Sequence, residues 1–260
     1  MNLIGRVATR LQKSALRLPA NFNLDKKDLI DYTYRSCFPV PASFADLGGV
    51  WNVHGAYTSY TLRKYGAKCA FLVDTDITDA TLKYARSKGS LKLIRGNFGD
   101  ESVGQQIGKV DAIFLFDVLL HQVKPDWNEI LENYSKRTNY FVVYNQQWIG
   151  SKNTVRLLDL GLDEYFKNVP HVEDDPIYKE LFDRMNEIHP QHKRIWRDIH
   201  NVWQWGITDR DLLRTMENLG FKMQYYKNCG RFGTLPNFEN HALLFQKQYC
   251  PVKTRKDSTA

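Results

Sequence analysis

Between Ser43 and Trp148 the chain alternates short, almost unbroken apolar runs with segments of helical spacing. The runs are "SFADL", "KCAFLVD", "LKLIRG", "DAIFLFDVLL" and "NYFVVYNQQW". A helix is expected before the first run, at "LDKKDLIDYTYRSC". Others are expected between runs, at "AYTSYTLRKYG", "TDATLKYARSKG", the short "DESVGQQIG" and "PDWNEILENYSKR". Gly66 and Gly89 stand where two of these helices would close. A strand with one face in water alternates polar and apolar residues, whereas a strand apolar throughout is buried on both faces. The pattern therefore predicts a parallel sheet covered by helices on each side, a doubly wound α/β fold.

The rhythm breaks after Trp148. Residues from about 149 to 205 hold no strand pattern, and "TVRLLDLGLDEYFKNV" and "PIYKELFDRMNEIHPQHKRIWRDIHN" read as helices. "TDRDLLRTMENLGF" is a further helix with Thr208 as its N-cap. "KMQYYKNC" and "HALLFQKQY", joined by the turn-rich "GRFGTLPNFEN", read as an antiparallel pair at one edge. The expected architecture is a mostly parallel seven-stranded sheet with that edge pair. The segment 149–205 is expected as a helical lid over the ligand end of the sheet. Residues 24–250 form the expected domain, 251–260 a solvated tail.

Composition bounds the partners. The chain is 43% hydrophobic and 25% charged, within the range of globular proteins. Its 36 basic and 29 acidic residues leave a net charge of +7, yet the long Lys/Arg runs of a nucleic-acid arm are missing. The four cysteines, Cys37, Cys69, Cys229 and Cys250, contain no C-x-x-C pair, so neither a metal site nor a disulfide framework is expected. No apolar run approaches the ~20 residues that span a bilayer. A cytoplasmic location follows as the expectation. Residues 1–23 are basic and amphipathic. They suit a helix packed on the domain, a transit sequence, or peripheral contact of residues 1–19 with the inner face of an anionic membrane.

The first strand ends in "ADLGGVWNVHG". In open α/β sheets ligands bind beyond the carboxyl ends of the strands, so this loop is a candidate site. Gly48, Gly49 and Gly55 match neither the dinucleotide pattern G-x-G-x-x-G nor the phosphate loop G-x-x-x-x-G-K-[ST]. Asp46, two residues before the first glycine, would repel a phosphate and pair with an ammonium group.

"ADLGG", "VDTDITDATLKYAR", "IRGNF" and "IFLFDVLLHQV" stand in order at the ends of successive strands. That series resembles the motifs of the class I S-adenosylmethionine-dependent methyltransferases, from about Ser43 to Trp148. The resemblance implies S-adenosylmethionine as cofactor. Asp46, Gly48 and Gly49 would approach its methionine part. Asp74 or Asp76 would take both ribose hydroxyls, with Asp74 favoured by counting along the strand. Asn97 would meet the adenine amino group and Phe98 the adenine face. Phe116, Asp117 and Val118 would line the pocket, with His121 as a candidate general base. Trp51 stands where the family has its third glycine, so the loop runs longer here.

His54, Tyr144, Trp203 and Trp205 are candidates for an acceptor pocket. The histidines of "HPQHKRIWRDIH" read as a solvated or anion-binding helix face rather than a metal site. The expected activity is methylation of oxygen or nitrogen on a small-molecule or glycan acceptor. Nucleic acid is disfavoured because "FDVLLH" lacks the Asn/Asp-Pro-Pro-aromatic signature of base-modifying relatives. The alternative is a non-catalytic protein that keeps the cofactor fold as a scaffold; a dinucleotide oxidoreductase ranks below both.

Overall fold

The structure, a computed structural model, describes residues 21–39 and 41–248. The amphipathic stretch 1–20 and the tail 251–260 lie outside the described residues, so the readings of membrane contact, transit sequence and solvated tail concern residues beyond them.

Asn23 opens α1 (Leu24–Cys37), its side-chain oxygen accepting the N–H groups of Asp25 and Lys26. There follow β1 (Phe44–Leu47), α2 (Ala56–Tyr65), β2 (Ala70–Asp74), α3 (Asp79–Arg86) and β3 (Leu91–Arg95). Next come α4 (Glu101–Ile107), β4 (Val110–Phe116), α5 (Trp127–Ser135) and β5 (Thr138–Trp148). Gly66 closes α2, its N–H donating to Leu62 O, whereas α3 ends at Arg86 with Ser87 as its cap, ahead of Gly89. Asp126 and Glu129 form a capping box that starts α5.

The seven strands of the main sheet run in the order β3-β2-β1-β4-β5-β9-β8, where β8 is Phe221–Arg231 and β9 Phe238–Lys247. β1 to β5 are parallel, and β9 runs antiparallel to both β5 and β8. The expected antiparallel pair is present, and both strands run further into the connecting loop than the sequence suggested. The chain winds outward from β1 to β3, then returns to place β4 on the other side of β1. The crevice of a doubly wound sheet opens at that reversal.

Helices cover both faces. Leu29, Ile30, Tyr57 and Tyr60 of α1 and α2 pack on Phe44, Leu72 and Phe114. On the opposite face Val103, Ile107, Ile130 and Leu131 of α4 and α5 pack on Ala45, Val73, Ile113 and Val143. Leu212 and Met216 of α7 (Asp209–Asn218) join them, with Thr208 capping that helix through the Asp211 N–H. Each such large apolar side chain contributes about 1.5–3 kcal/mol on burial.

The segment 149–205 departs from expectation. It contains one short helix, α6 (Leu162–Lys167), and two single 3-10 turns, Leu157–Leu160 and Trp196–Asp198. Between them lie isolated turns such as Tyr178 N–H to Asp175 O (2.8 Å) and Glu187 N–H to Arg184 O (2.9 Å). Pro170, Pro176 and Pro190 interrupt any longer ladder. The apolar residues Tyr165, Tyr178, Leu181, Trp196 and Trp203 form their own cluster with Trp148 and Phe238 rather than a helical stripe. A strand pair that the sequence did not announce, β6 (Val155–Arg156) with β7 (Trp205–Gly206), joins the two ends of the segment.

Candidate functional site

The side chain of Asp46 turns from β1 toward the α1–α2 face and is wholly buried. Thr58, in the first turn of α2, donates to its Oδ2 at 2.6 Å, and its Oδ1 has no partner. Burial raises the Asp46 pKa to about 6; the Thr58 hydrogen bond opposes this, nearby Asp74 adds to it, and the Lys26 charge offsets part. A half-satisfied carboxylate in the interior is costly unless a cation or donor completes it.

The loop that follows is packed too tightly for side chains at two positions. A Cβ at Gly49 would lie 2.4 Å from Asp46 Oδ2. Gly48 has φ +73°, and a Cβ there would lie 2.7 Å from Val118 Cγ1 and 3.4 Å from the Phe98 ring. The loops after β1, β3 and β4 therefore meet at Gly48. Several of the loop's amides are already used. Gly48 N–H donates to Val73 O (2.8 Å), His54 N–H to Val50 O (2.7 Å) and Gly55 N–H to Gly49 O (2.9 Å). A phosphate cradle needs such groups free.

Asp74 ends β2 with its carboxylate against this loop: Val50 N–H donates to Oδ2 (2.9 Å) and Asp76 N–H to Oδ1 (3.1 Å). Asp76 itself is exposed. Asn97 spends its side-chain oxygen on a local turn, accepting Gly99 N–H at 2.8 Å. Phe98 is buried beside Gly48, and its carbonyl accepts the Tyr134 hydroxyl at 2.8 Å.

β4 ends at Phe116, and Asp117 follows in the left-handed region at φ +58°. That turn aims the Asp117 carboxylate at Lys26, with which it pairs, and at Gln146 of β5, whose Nε2 donates at 2.8 Å. The rings of Phe116, Tyr57 and Tyr144 surround the Lys26 ammonium. Tyr144 accepts from Asn23 Nδ2 at 3.1 Å, and burial pushes its hydroxyl pKa up.

His121 ends a 3-10 turn after β4. Its Nδ1 lies 3.0 Å from the carbonyl of Val202, which only accepts, so Nδ1 carries the proton and Nε2 is left as an acceptor. Burial lowers the His121 pKa, which the Val202 bond and the Asp117 charge oppose. Trp203 stands edge-on to His121 at 6.3 Å and is buried in the cluster of the 149–205 segment. Trp205 donates from Nε1 to Gln122 O at 2.6 Å under the Arg156 guanidinium. These contacts tie the segment to the turn after β4. His54 is exposed on the rim at φ +49°. Among the described residues no group of three or more His, Cys, Asp or Glu is placed to hold a metal ion.

The strand order and the solved structures agree on the fold. The N-terminal domain of EvdMO1, described in the presence of S-adenosylhomocysteine and D-fucose, is similar over 94% of this chain and 97% of its own, with a TM-score of 0.54 at 15% identity. The chain has the class I methyltransferase fold. The 1,6-didemethyltoxoflavin N1-methyltransferase of Burkholderia thailandensis matches 86% of this chain and 78% of its own, with a TM-score of 0.51 at 11% identity. Magnesium protoporphyrin IX methyltransferase of Synechocystis PCC 6803 matches 86% of this chain and 83% of its own, with a TM-score of 0.51 at 9% identity. No protein-family model matches the sequence, and no curated protein does.

On the methyltransferase fold the predicted residues fall into two groups. Asp46, Gly48, Gly49, Asp74, Phe98 and Val118 share the glycine loop, while Phe116, Asp117 and Tyr144 share the ends of β4 and β5. Lys26, Thr58 and Gln146 belong to these groups and were missed by sequence reasoning. Lys26 sits in a helix whose "DKKD" reads as a solvated face, and nothing local signals the rings that enclose it.

Proposed function

We propose that the protein is an S-adenosylmethionine-dependent methyltransferase acting on oxygen or nitrogen of a small molecule, sugars included. One observation carries this reading: the glycine loop keeps a buried carboxylate oxygen of Asp46 without a partner at its base, where a phosphate would meet like charge. That loop refuses a phosphate and fits a cationic amino-acid end. Asp46, Gly48 and Gly49 would hold the methionine part. Asp74, with two carboxylate oxygens at the end of β2, suits a ribose diol. Phe98 would pack the adenine face, and Asn97 would have to give up its turn to Gly99 in order to reach the adenine.

When bound, the cofactor supplies an electrophilic methyl group. The residues of this chain then have two tasks, to align the acceptor and to receive its proton. Alignment alone supplies much of the rate in a transfer between held partners. His121, neutral through burial and fixed as one tautomer by Val202, presents Nε2 as a proton acceptor. Residues 149–205, anchored by Trp203 and Trp205 beside His121, would cover the acceptor and choose it. Of the structures similar in fold, one is described with 1,6-didemethyltoxoflavin and S-adenosylhomocysteine bound and another is a magnesium protoporphyrin IX methyltransferase with S-adenosylhomocysteine bound, a spread that supports leaving the choice of acceptor to residues 149–205.

Titration calorimetry tests the reading. S-adenosylmethionine should bind at one site with micromolar affinity, and NAD(H) should give no heat. Absence of heat at millimolar S-adenosylmethionine would refute it. Tight binding with no product on any acceptor would favour the non-catalytic scaffold.

A further inference from the structure

Of the six tryptophans in the chain, Trp51 is the one left exposed, at 66%, in the loop between β1 and α2. Exposure of a single ring is ordinary by itself. Its place is not. Val50, the residue before it, is buried, and its N–H donates to Asp74 Oδ2 at 2.9 Å. The Val50 carbonyl accepts from Val53 N–H (3.2 Å) and His54 N–H (2.7 Å). Asn52 and His54 turn through the left-handed region, at φ +60° and +49°. The chain thus enters and leaves Trp51 through anchored residues, and the indole stands on the rim of the loop.

In the cofactor reading above, Asp74 takes the ribose diol and Phe98 one face of the adenine. That leaves the base with little hold. Phe98 is only 8% exposed and packs beneath Gly48, so it can floor the base but not cover it. Asn97 has its side-chain oxygen on Gly99 N–H, so the base edge lacks a ready partner. Trp51 is one residue, about 3.8 Å along the chain, from the amide that holds Asp74. An indole at that point is long enough to pass over a ribose and reach its base. Asp74 ends β2, on one side of β1, whereas the turn of His121 follows β4 on the other side. Trp51 therefore belongs with the nucleoside half of the crevice rather than with the acceptor half.

We propose that the Trp51 indole closes on the outer face of the cofactor's adenine, with Phe98 beneath it. This deepens the cofactor reading and rests on it. Base and indole stack in an offset arrangement, which needs no hydrogen bond to the base edge. The ring shields the bound nucleoside from water and supplies the hold on the base that Asn97, engaged with Gly99, does not.

Titration of S-adenosylhomocysteine and of adenosine into the full chain tests this, because the two share the base and differ in the amino-acid end. Trp51→Ala should weaken both by a similar factor, at least about fivefold, since each loses the same stacking contact. Trp51→Phe keeps a ring and should stay within about threefold of the wild type. The indole is exposed, so neither change should disturb folding. S-adenosylhomocysteine should quench the tryptophan emission of the wild type, and Trp51→Phe should remove most of that quench. Undiminished affinity for S-adenosylhomocysteine in Trp51→Ala would overturn the proposal. So would a loss for S-adenosylhomocysteine with none for adenosine, which would put the ring on the amino-acid end. A wild-type protein that binds neither ligand would overturn the cofactor reading itself.

Discussion

Asp46 answers to two opposed demands. In the ligand-free fold its burial without a full set of partners favours the protonated form and raises its pKa from 3.8 to about 6. For a carboxylate raised in this way, the native state holds a proton that the unfolded chain has lost between those values. The stability Asp46 contributes is therefore present at pH 4 and declines as pH rises, being lost above about 6. Asp46→Asn should stabilise the ligand-free protein at pH 8 by about 2 kcal/mol, with the gain vanishing at pH 4, as denaturant unfolding at the two pH values would read. The wild type should bind S-adenosylmethionine more tightly at pH 7 than at pH 5, and the same variant should abolish that rise. Asp74→Ala should weaken that affinity at least about tenfold, a loss of two charge-assisted hydrogen bonds, while Asp76→Ala changes it little. His121→Asn should lower turnover at least about 100-fold and leave cofactor affinity intact. The acids at the ends of β1 and β2 were legible because strand ends are easy to count. Lys26 was not, because helical spacing reports which face a residue takes but not whether another element closes over that face.

Trp148 ends β5, and its ring lies against the backbone of two glycines from the covering segment. A Cβ at Gly150 would lie 2.5 Å from Trp148 Cζ2, and one at Gly206 would lie 2.8 Å from Cδ2. The ring is the joint between the sheet and the two ends of residues 149–205, at Gly150 and next to Gly206. Gly206→Ala should push Trp148 off its seat and cost about 1–3 kcal/mol. A fall in Tm with a larger fall in turnover than in cofactor affinity would show that the joint serves the acceptor side. Strands and helices of the sheet were readable because each follows one local period. The covering segment was not. "IYKELFDRMNEI" has a helical rhythm, yet its aromatic residues are drawn to Tyr165 and Trp196 from separate single turns. There tertiary contacts override a weak local preference.

At the scale of the whole molecule, the order β3-β2-β1-β4-β5-β9-β8 places every proposed contact at one end of one sheet. Reversal of winding between β1 and β4 opens the crevice. The glycine loop stands at this end, and residues 149–205 are tied to the turn after β4 by Trp203 beside His121 and by Trp205 on Gln122; in the proposed function that segment would cover the acceptor. A shallow basic depression formed by Lys109, Lys136, Arg137 and Glu101 lies at the opposite ends of the strands and plays no part in this arrangement. The sheet end was legible in the sequence, since four strand-end motifs converge on it. The contacts of α1 and of residues 149–205 were not, since neither has a local signal that names what it packs on. A crystal structure of the S-adenosylhomocysteine complex tests the central claim most directly. The account predicts the ribose hydroxyls on the Asp74 carboxylate and the amino group within reach of Asp46. A ligand seated elsewhere, or a phosphate-bearing nucleotide preferred on the glycine loop, would contradict it.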